Sequence, residues 1–161
     1  MKKIIVIGCP GSGKSTFSRK LGEKLNIPVY HLDMLFWNRD KTTVDDETFM
    51  KRLNEVLSKD QWIIDGHYMK TLEHRIKSCD TIFYLDMPVD LCLENVTNRI
   101  GRVRPDMPWV EKKDQEYYDF IEYIKNFKET KIPYTLELLN KYQDKNMIRF
   151  TSFDEINTYL K

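Results

Sequence analysis

The chain alternates between two hydrophobic patterns. Short runs of consecutive apolar, often β-branched residues give way to longer stretches in which apolar residues recur every three or four positions. The first pattern predicts strands buried on both faces, and the second predicts amphipathic helices. Strands are expected at 3–7 (K-I-I-V-I), 28–32 (P-V-Y-H-L), 61–65 (Q-W-I-I-D), 81–85 (T-I-F-Y-L) and 147–150 (M-I-R-F). Helices are expected at 16–25, with Phe17, Leu21 and Leu25 on one face, and at 44–57, with Phe49, Leu53, Val56 and Leu57 inward and Thr43 as N-cap. Further helices run from Pro88 to about 100, from 111 to 127 with Tyr117, Phe120, Ile121 and Ile124 on one face, and past Pro133 to about 142. Ser152-Phe153-Asp154-Glu155 is a capping box that opens a last helix. Residues 101–109 (G-R-V-R-P-D-M-P-W) break the pattern and predict a mobile excursion.

Strands alternating with helices across short connections imply an α/β fold, with a five-stranded parallel sheet between two helical layers. No repeat, low-complexity tract or linker divides residues 1–161, so a single domain is expected. Ligands in such folds gather at the carboxyl ends of the strands. The informative residues are therefore those just after each apolar run.

Composition narrows the classes. Hydrophobic residues make up 41% and charged residues 32% of the chain, and 26 basic against 25 acidic residues leave a net charge of +1. That balance gives no basic face for a dedicated nucleic-acid binder. No apolar run approaches the roughly 20 residues that span a membrane. Met1-Lys2-Lys3 enters a strand without the apolar stretch of a signal peptide. Cys9, Cys79 and Cys92 are odd in number and lack metal-ligand spacing, which fits a reducing cytoplasm.

The chemistry begins at Gly8-Cys9-Pro10-Gly11-Ser12-Gly13-Lys14-Ser15, which fits G-x-x-x-x-G-K-[ST] between a predicted strand and a predicted helix. Glycines let a loop wrap with its N–H groups inward, and the helix N-terminus adds positive potential, so phosphate is the natural guest. Lys14 is expected on the β- and γ-phosphates of a nucleotide and Ser15 on Mg²⁺. Thr16 and the backbone from Gly11 to Ser15 are expected on the α- and β-phosphates. Cys9, close to the helix N-terminus, is a thiol whose pKa could fall there.

Three carboxylates end predicted strands. Asp65 is the first candidate for water-mediated Mg²⁺ coordination. Asp33 is the candidate for orienting or deprotonating an acceptor hydroxyl. Asp86 is expected to cap the following helix. Arg99, Arg102 and Arg104 cluster in and around the excursion, which reads as a lid of about residues 99–112. Mobile arginines there stabilise the charge that phosphoryl transfer spreads over the γ-oxygens. Arg75 is either an acceptor contact or a helix-surface residue. His31, His67 and His74 lack metal spacing and read as packing or surface residues. Phe36, Trp37 and Tyr68 either line an acceptor pocket or pack the core.

Taken together, G-C-P-G-S-G-K-S-T, W-I-I-D-G, Y-L-D-M-P, an arginine lid and a final βα unit resemble the adenylate kinase-like branch of P-loop kinases. Residues 28–37 (P-V-Y-H-L-D-M-L-F-W), 62–68 (W-I-I-D-G-H-Y) and 104–107 (R-P-D-M) are most similar to the FlaR-like group called DNA topology modulation proteins. The resemblance implies a P-loop NTPase fold, an ATP-dependent phosphotransferase design using ATP and Mg²⁺, and an acceptor it does not name. Nucleoside monophosphate kinases carry an acceptor-gripping Arg in D-G-F-P-R. Here Asp65-Gly66-His67-Tyr68-Met69 lacks it, which favours another acceptor, such as a hydroxyl. A nucleoside monophosphate kinase and an ATP-binding regulator linked to DNA topology are the alternatives. A guanine-reading N-K-x-D is missing, since Asn140-Lys141-Tyr142-Gln143-Asp144 places its Asp one position late.

Overall fold

The computed structural model describes residues 1–161. In chain order the elements are β1 Lys3–Gly8, α1 Lys14–Leu25, β2 Val29–His31, α2 Leu32–Phe36, α3 Asp46–Leu57, β3 Trp62–Asp65 and α4 Met69–Ser78. They continue with β4 Thr81–Leu85, α5 Val89–Asn98, α6 Gln115–Lys125, α7 Phe127–Thr130, α8 Ile132–Lys141, β5 Asn146–Phe150 and α9 Phe153–Leu160. The five strands pair in parallel in the order β2-β3-β1-β4-β5. β1 is central, so chain connections leave it in both directions. The crevice beyond its carboxyl end is where such sheets place ligands.

Period-two alternation divides the core between the two faces. Ile4 and Val6 of β1, Ile63 of β3, and Phe83 and Leu85 of β4 pack with α1, α5, α6 and α9. Ile5 and Ile7, Trp62 and Ile64, and Ile82 and Tyr84 pack on the other face with α3, α4 and α8. Both faces are apolar because both are covered, which is why the strands read as unbroken hydrophobic runs. Gly22 brings α1 close to β2: a Cβ there would lie 2.6 Å from a Val29 methyl.

Several boundaries differ from the sequence expectation, each for a local reason. The second strand stops at His31, and α2 follows without a gap because Leu32 buries itself at its start. Asp33 therefore lies in the first turn of a helix. The N-cap of α3 is Asp45, whose carboxylate accepts the Thr48 N–H, and not Thr43. The expected helix from Glu111 begins only at Gln115, because Asp114 takes the cap by accepting the Tyr117 N–H. Asp86 does not cap α5, whose N-cap is Pro88 with no side-chain bond. Arg149 and Lys128 draw it toward β5 and α7 instead. α2, α4 and α7 had no counterpart among the expected helices.

Candidate active site

The phosphate-loop residues wrap between β1 and α1. Gly11 at φ +83° and Gly13 at φ +90° take backbone conformations that side chains disfavour. A Cβ on Gly11 would sit 2.2 Å from the Cys92 carbonyl oxygen, so the loop is wedged directly against α5. Asn95 of α5 secures it by donating to the Gly11 carbonyl at 2.9 Å. Gly13 caps α1 without a side-chain bond, which leaves the amides of the first turn free for an anion. The Ser12 hydroxyl is buried and has no hydrogen-bond partner. These features fit a phosphate guest.

Lys14 Nζ donates to the Gly8 and Cys9 carbonyls, each at 3.0 Å. Burial holds its pKa below the usual lysine value, against the opposing pull of Asp65, Cys9 and Asp33. The Ser15 hydroxyl accepts from Arg19, one turn along α1, and Thr16 is exposed. Cys9 does not become acidic: a hydrogen bond with Cys92 and burial both push its thiol pKa up. All three cysteines are free and buried.

Parallel pairing sets His31 opposite Asp65 at the carboxyl edge of the sheet. Their side chains meet, His31 Nδ1 to Asp65 Oδ2. His31 is thus neither a packing nor a surface residue, the two readings its sequence context offers. The available signal was its place at a strand end in register with a carboxylate. Asp33, from α2, accepts the Tyr68 hydroxyl. Burial raises the Asp33 pKa, and the Tyr68 bond opposes that rise. No group of three or more His, Cys, Asp or Glu side chains forms a ready-made metal cage. Ser15 and Asp65 nevertheless offer the hard oxygen donors that suit Mg²⁺, an ion that keeps most of its ligands as water and phosphate oxygen.

The segment joining Asp65 to α4 is held from beneath. Arg75 is fully buried and lacks a carboxylate partner. Its guanidinium donates to the carbonyls of Gly66 at 2.9 Å, His67 at 2.6 Å and Tyr68 at 3.0 Å, and to the Thr71 hydroxyl at 3.1 Å. It is neither a surface arginine nor an acceptor contact. It clamps a turn in which Tyr68 takes the positive φ of +28°. Burial lowers the Arg75 pKa to about 9. His67, also read as a packing or surface residue, is buried and links two elements. Its Nδ1 accepts the Gly8 N–H at 3.2 Å, and its Nε2 pairs with the Thr135 hydroxyl at 2.9 Å. Accepting through Nδ1 requires a neutral ring, and burial pushes its pKa down to about 3.

The three arginines at 99, 102 and 104 divide. Arg99 Nε lies 2.8 Å and Arg104 Nη2 3.4 Å from the same Glu111 oxygen, and Arg104 Nε lies 3.6 Å from Asp106. Arg102 is exposed and outside this cluster. Glu111 does not open the expected helix, which starts at Gln115. It is instead the shared counter-ion of Arg99 and Arg104, and its carbonyl accepts the Gly101 N–H at 2.9 Å. In the same segment the Trp109 ring meets that of Trp37, with centroids 5.5 Å apart. Phe36 and Tyr68 continue this aromatic wall at 5.3 Å.

Comparison with known proteins adds a family and a set of relatives. The profile described as AAA domain matches residues 4–119. An adenylate kinase of Thermotoga neapolitana is 27% identical over 88 residues, which cover 53% of this chain and 39% of that enzyme. A shikimate kinase of Enterococcus faecalis is 27% identical over 158 residues, covering 88% of this chain and 91% of that enzyme. Among solved structures, a shikimate kinase from Bacteroides thetaiotaomicron superposes with a TM-score of 0.64 at 18% identity, over 98% of this chain and 93% of that one. That likeness establishes the three-layer α/β P-loop NTPase fold.

Proposed function

The chain belongs to the AAA domain family, and from that premise we propose that it is an ATP-dependent phosphotransferase, a P-loop kinase acting on the hydroxyl of a small molecule. One observation carries the reading. Lys14 Nζ is held at the Gly8 and Cys9 carbonyls, where β1 ends, and the sheet register sets Asp65 level with Val6 on one side and with His31, two residues before Asp33, on the other, so the loop and both carboxylates share one edge of the sheet. A mere anchoring site for a nucleotide needs the loop but not the two carboxylates.

In this reading Gly8 and Pro10 shape the loop. The amides of Gly11, Ser12, Gly13, Lys14 and Ser15, together with Thr16, hold the α- and β-phosphates, and Lys14 reaches the β- and γ-phosphates. Ser15 and Asp65, the latter through water, are the residues for Mg²⁺, which when bound neutralises phosphate charge. Asp33 takes the proton of the acceptor hydroxyl as its oxygen bonds to the γ-phosphorus. The bond from that phosphorus to the β,γ-bridging oxygen breaks, and ADP leaves. Arg99, Arg102 and Arg104 stabilise the charge on the transferring group. No arginine follows Asp65-Gly66 to grip an acceptor phosphate, which favours a hydroxyl over a nucleoside monophosphate. Membership of the FlaR-like group, carried by residues 28–37, 62–68 and 104–107, belongs to the same proposal. So does a reducing cytoplasmic setting, suggested by three free cysteines.

The test is nucleotide binding and phosphoryl transfer by the purified protein with Mg-ATP across a metabolite panel. Binding and transfer, both lost in Lys14→Ala, are expected. Absence of both in the unaltered protein overturns the reading, and a clear preference for GTP counts against it.

A further inference from the structure

We propose that His31 is a positioning residue of the Mg²⁺ site: its Nδ1–H holds the Asp65 carboxylate in the orientation that serves the metal. This rests on the kinase reading above, in which Asp65 meets Mg²⁺ through water, and it gives a part to a residue which that reading leaves idle.

Strand pairing fixes the backbone of both residues. His31 and Asp65 form the last pair of the parallel ladder between β2 and β3, so their side chains leave the sheet on the same face. Ile63, two residues before Asp65, packs on the face that α1 covers, and α1 opens with Lys14 and Ser15. By alternation, His31 and Asp65 project on the side of Ser15. On its other edge Asp65 pairs with Val6 of β1, and the Gly66 N–H donates to the Val6 carbonyl at 3.1 Å. Leu32, which follows His31, lies against Gly66, where a Cβ would sit 2.8 Å from a Leu32 methyl.

The backbone does not fix the carboxylate itself, which turns about two side-chain torsions. Its one hydrogen bond in the protein is with His31, between Nδ1 and Oδ2. A carboxylate only accepts, so Nδ1 carries the proton, and Nε2 is bonded to no protein group. Asp65 Oδ1 is likewise without a protein partner. Lys14 does not take it, because its ammonium donates to the Gly8 and Cys9 carbonyls. Each side chain of the pair is 10% exposed, so water competes little for the bond between them. His31 therefore pins one oxygen of Asp65 and leaves the other for a metal-bound water. Partners that orient the residues of a metal site in this way are worth about 10- to 100-fold in metal affinity.

The experiment reads metal binding without turnover. Mn²⁺, which like Mg²⁺ suits octahedral oxygen ligands, is titrated into the protein–ADP complex, followed by electron paramagnetic resonance and then displaced by Mg²⁺. His31→Ala should weaken binding of both ions about 10- to 100-fold, while ADP affinity without metal stays within about twofold. His31→Asn should recover most of the loss, because its amide N–H can stand where Nδ1–H stands. His31→Gln should not, because its amide reaches the place of Nε2. Asp65→Asn should weaken both ions at least as much as His31→Ala, and combining the two should cost little more than Asp65→Asn alone. Unchanged ion affinity in His31→Ala, recovery by Gln as good as that by Asn, or additive losses in the double variant each overturn the inference and leave the kinase reading standing. The Asn and Gln variants carry the test if His31→Ala does not fold. Failure of the unaltered protein to bind ADP overturns both.

Discussion

The Tyr68 hydroxyl donates to the Asp33 carboxylate, although the two residues belong to different elements. Burial raises the Asp33 pKa, and this bond favours the ionised form and holds the rise back. An Asp33 that accepts a proton must be ionised first, so activity should fall as pH drops through its pKa. The acid limb of kcat/KM should therefore lie above the ordinary carboxylate range. Tyr68→Phe removes the restraint, so the limb should move to still higher pH, with about a tenfold loss at neutral pH. Asp33→Asn should cost about 10²- to 10⁴-fold, the usual worth of a general base. A pH–rate profile of the three proteins checks this. An unmoved limb in Tyr68→Phe would show that Asp33 does not titrate in the reaction.

Arg75 should matter more for folding than for binding. It satisfies three carbonyls in a turn whose Tyr68 has φ +28°, and no water reaches it. Arg75→Met would strand those carbonyls at a cost of about 3 kcal/mol or more. Urea denaturation gives the loss directly. Because the turn carries Tyr68, the surviving folded enzyme should also show a lower kcat with little change in the ATP KM.

The frame was legible in the sequence because strands buried on both faces write themselves as uninterrupted apolar runs, and a phosphate loop has a rigid grammar. The runs at 3–7, 61–65 and 81–85 and the loop at 8–15 are such cases. What escaped depends on contacts distant in sequence. His67 meets Gly8 and Thr135, His31 meets Asp65 through strand register, and Glu111 meets two arginines across a loop. Nothing local distinguishes a buried histidine bonded to a loop amide from one packed in a core. Arg75 misled for a related reason: α4 itself was not foreseen, so its inward face could not be assigned.

His67 supplies a pH signature of folding. Its pKa is depressed to about 3 by burial, against about 6.5 for a free imidazole. The unfolded chain binds the proton more readily, so the stability gained by keeping His67 neutral is complete above about pH 6.5 and drains away as pH falls toward 3. His67→Gln, which does not titrate, should flatten that slope between pH 6 and 4 while lowering stability at pH 7 by about 1 kcal/mol. Thermal midpoints measured across this range decide it. Parallel slopes in both proteins would assign the acid sensitivity to other groups.

Glu111 should govern the order of the segment from 99 to 114. It is the shared counter-ion of Arg99 and Arg104, and burial already lowers the Arg99 pKa with Arg104 acting in the same direction. Glu111→Gln leaves two neighbouring guanidiniums facing each other without a negative charge, so the segment from 99 to 114 should detach more often. Trypsin cutting after Arg102 should be about tenfold faster than in the unaltered protein, because cleavage tracks the open population. Glu111→Asp should restore part of the protection. Bound nucleotide should protect both variants, since the γ-phosphate supplies the missing negative charge.

Gly11 tests whether the loop and α5 act as one unit. The methyl of an alanine there would lie 2.2 Å from the Cys92 carbonyl oxygen, at a φ of +83° that alanine also disfavours. Backbone cannot yield as a flexible side chain can, so the loop must lift from α5 and lose the Asn95 bond to the Gly11 carbonyl. Gly11→Ala should therefore weaken ATP binding at least a hundredfold. Asn95→Ala removes only the bond, and should weaken binding by about tenfold or less, in line with roughly 1 kcal/mol for one hydrogen bond. Calorimetric titration with ATP separates the two. Equal effects would mean that the bond, and not the close approach of the backbones, sets the loop's shape, whereas a much larger effect of Gly11→Ala identifies the approach of α5 as what keeps the amides turned inward.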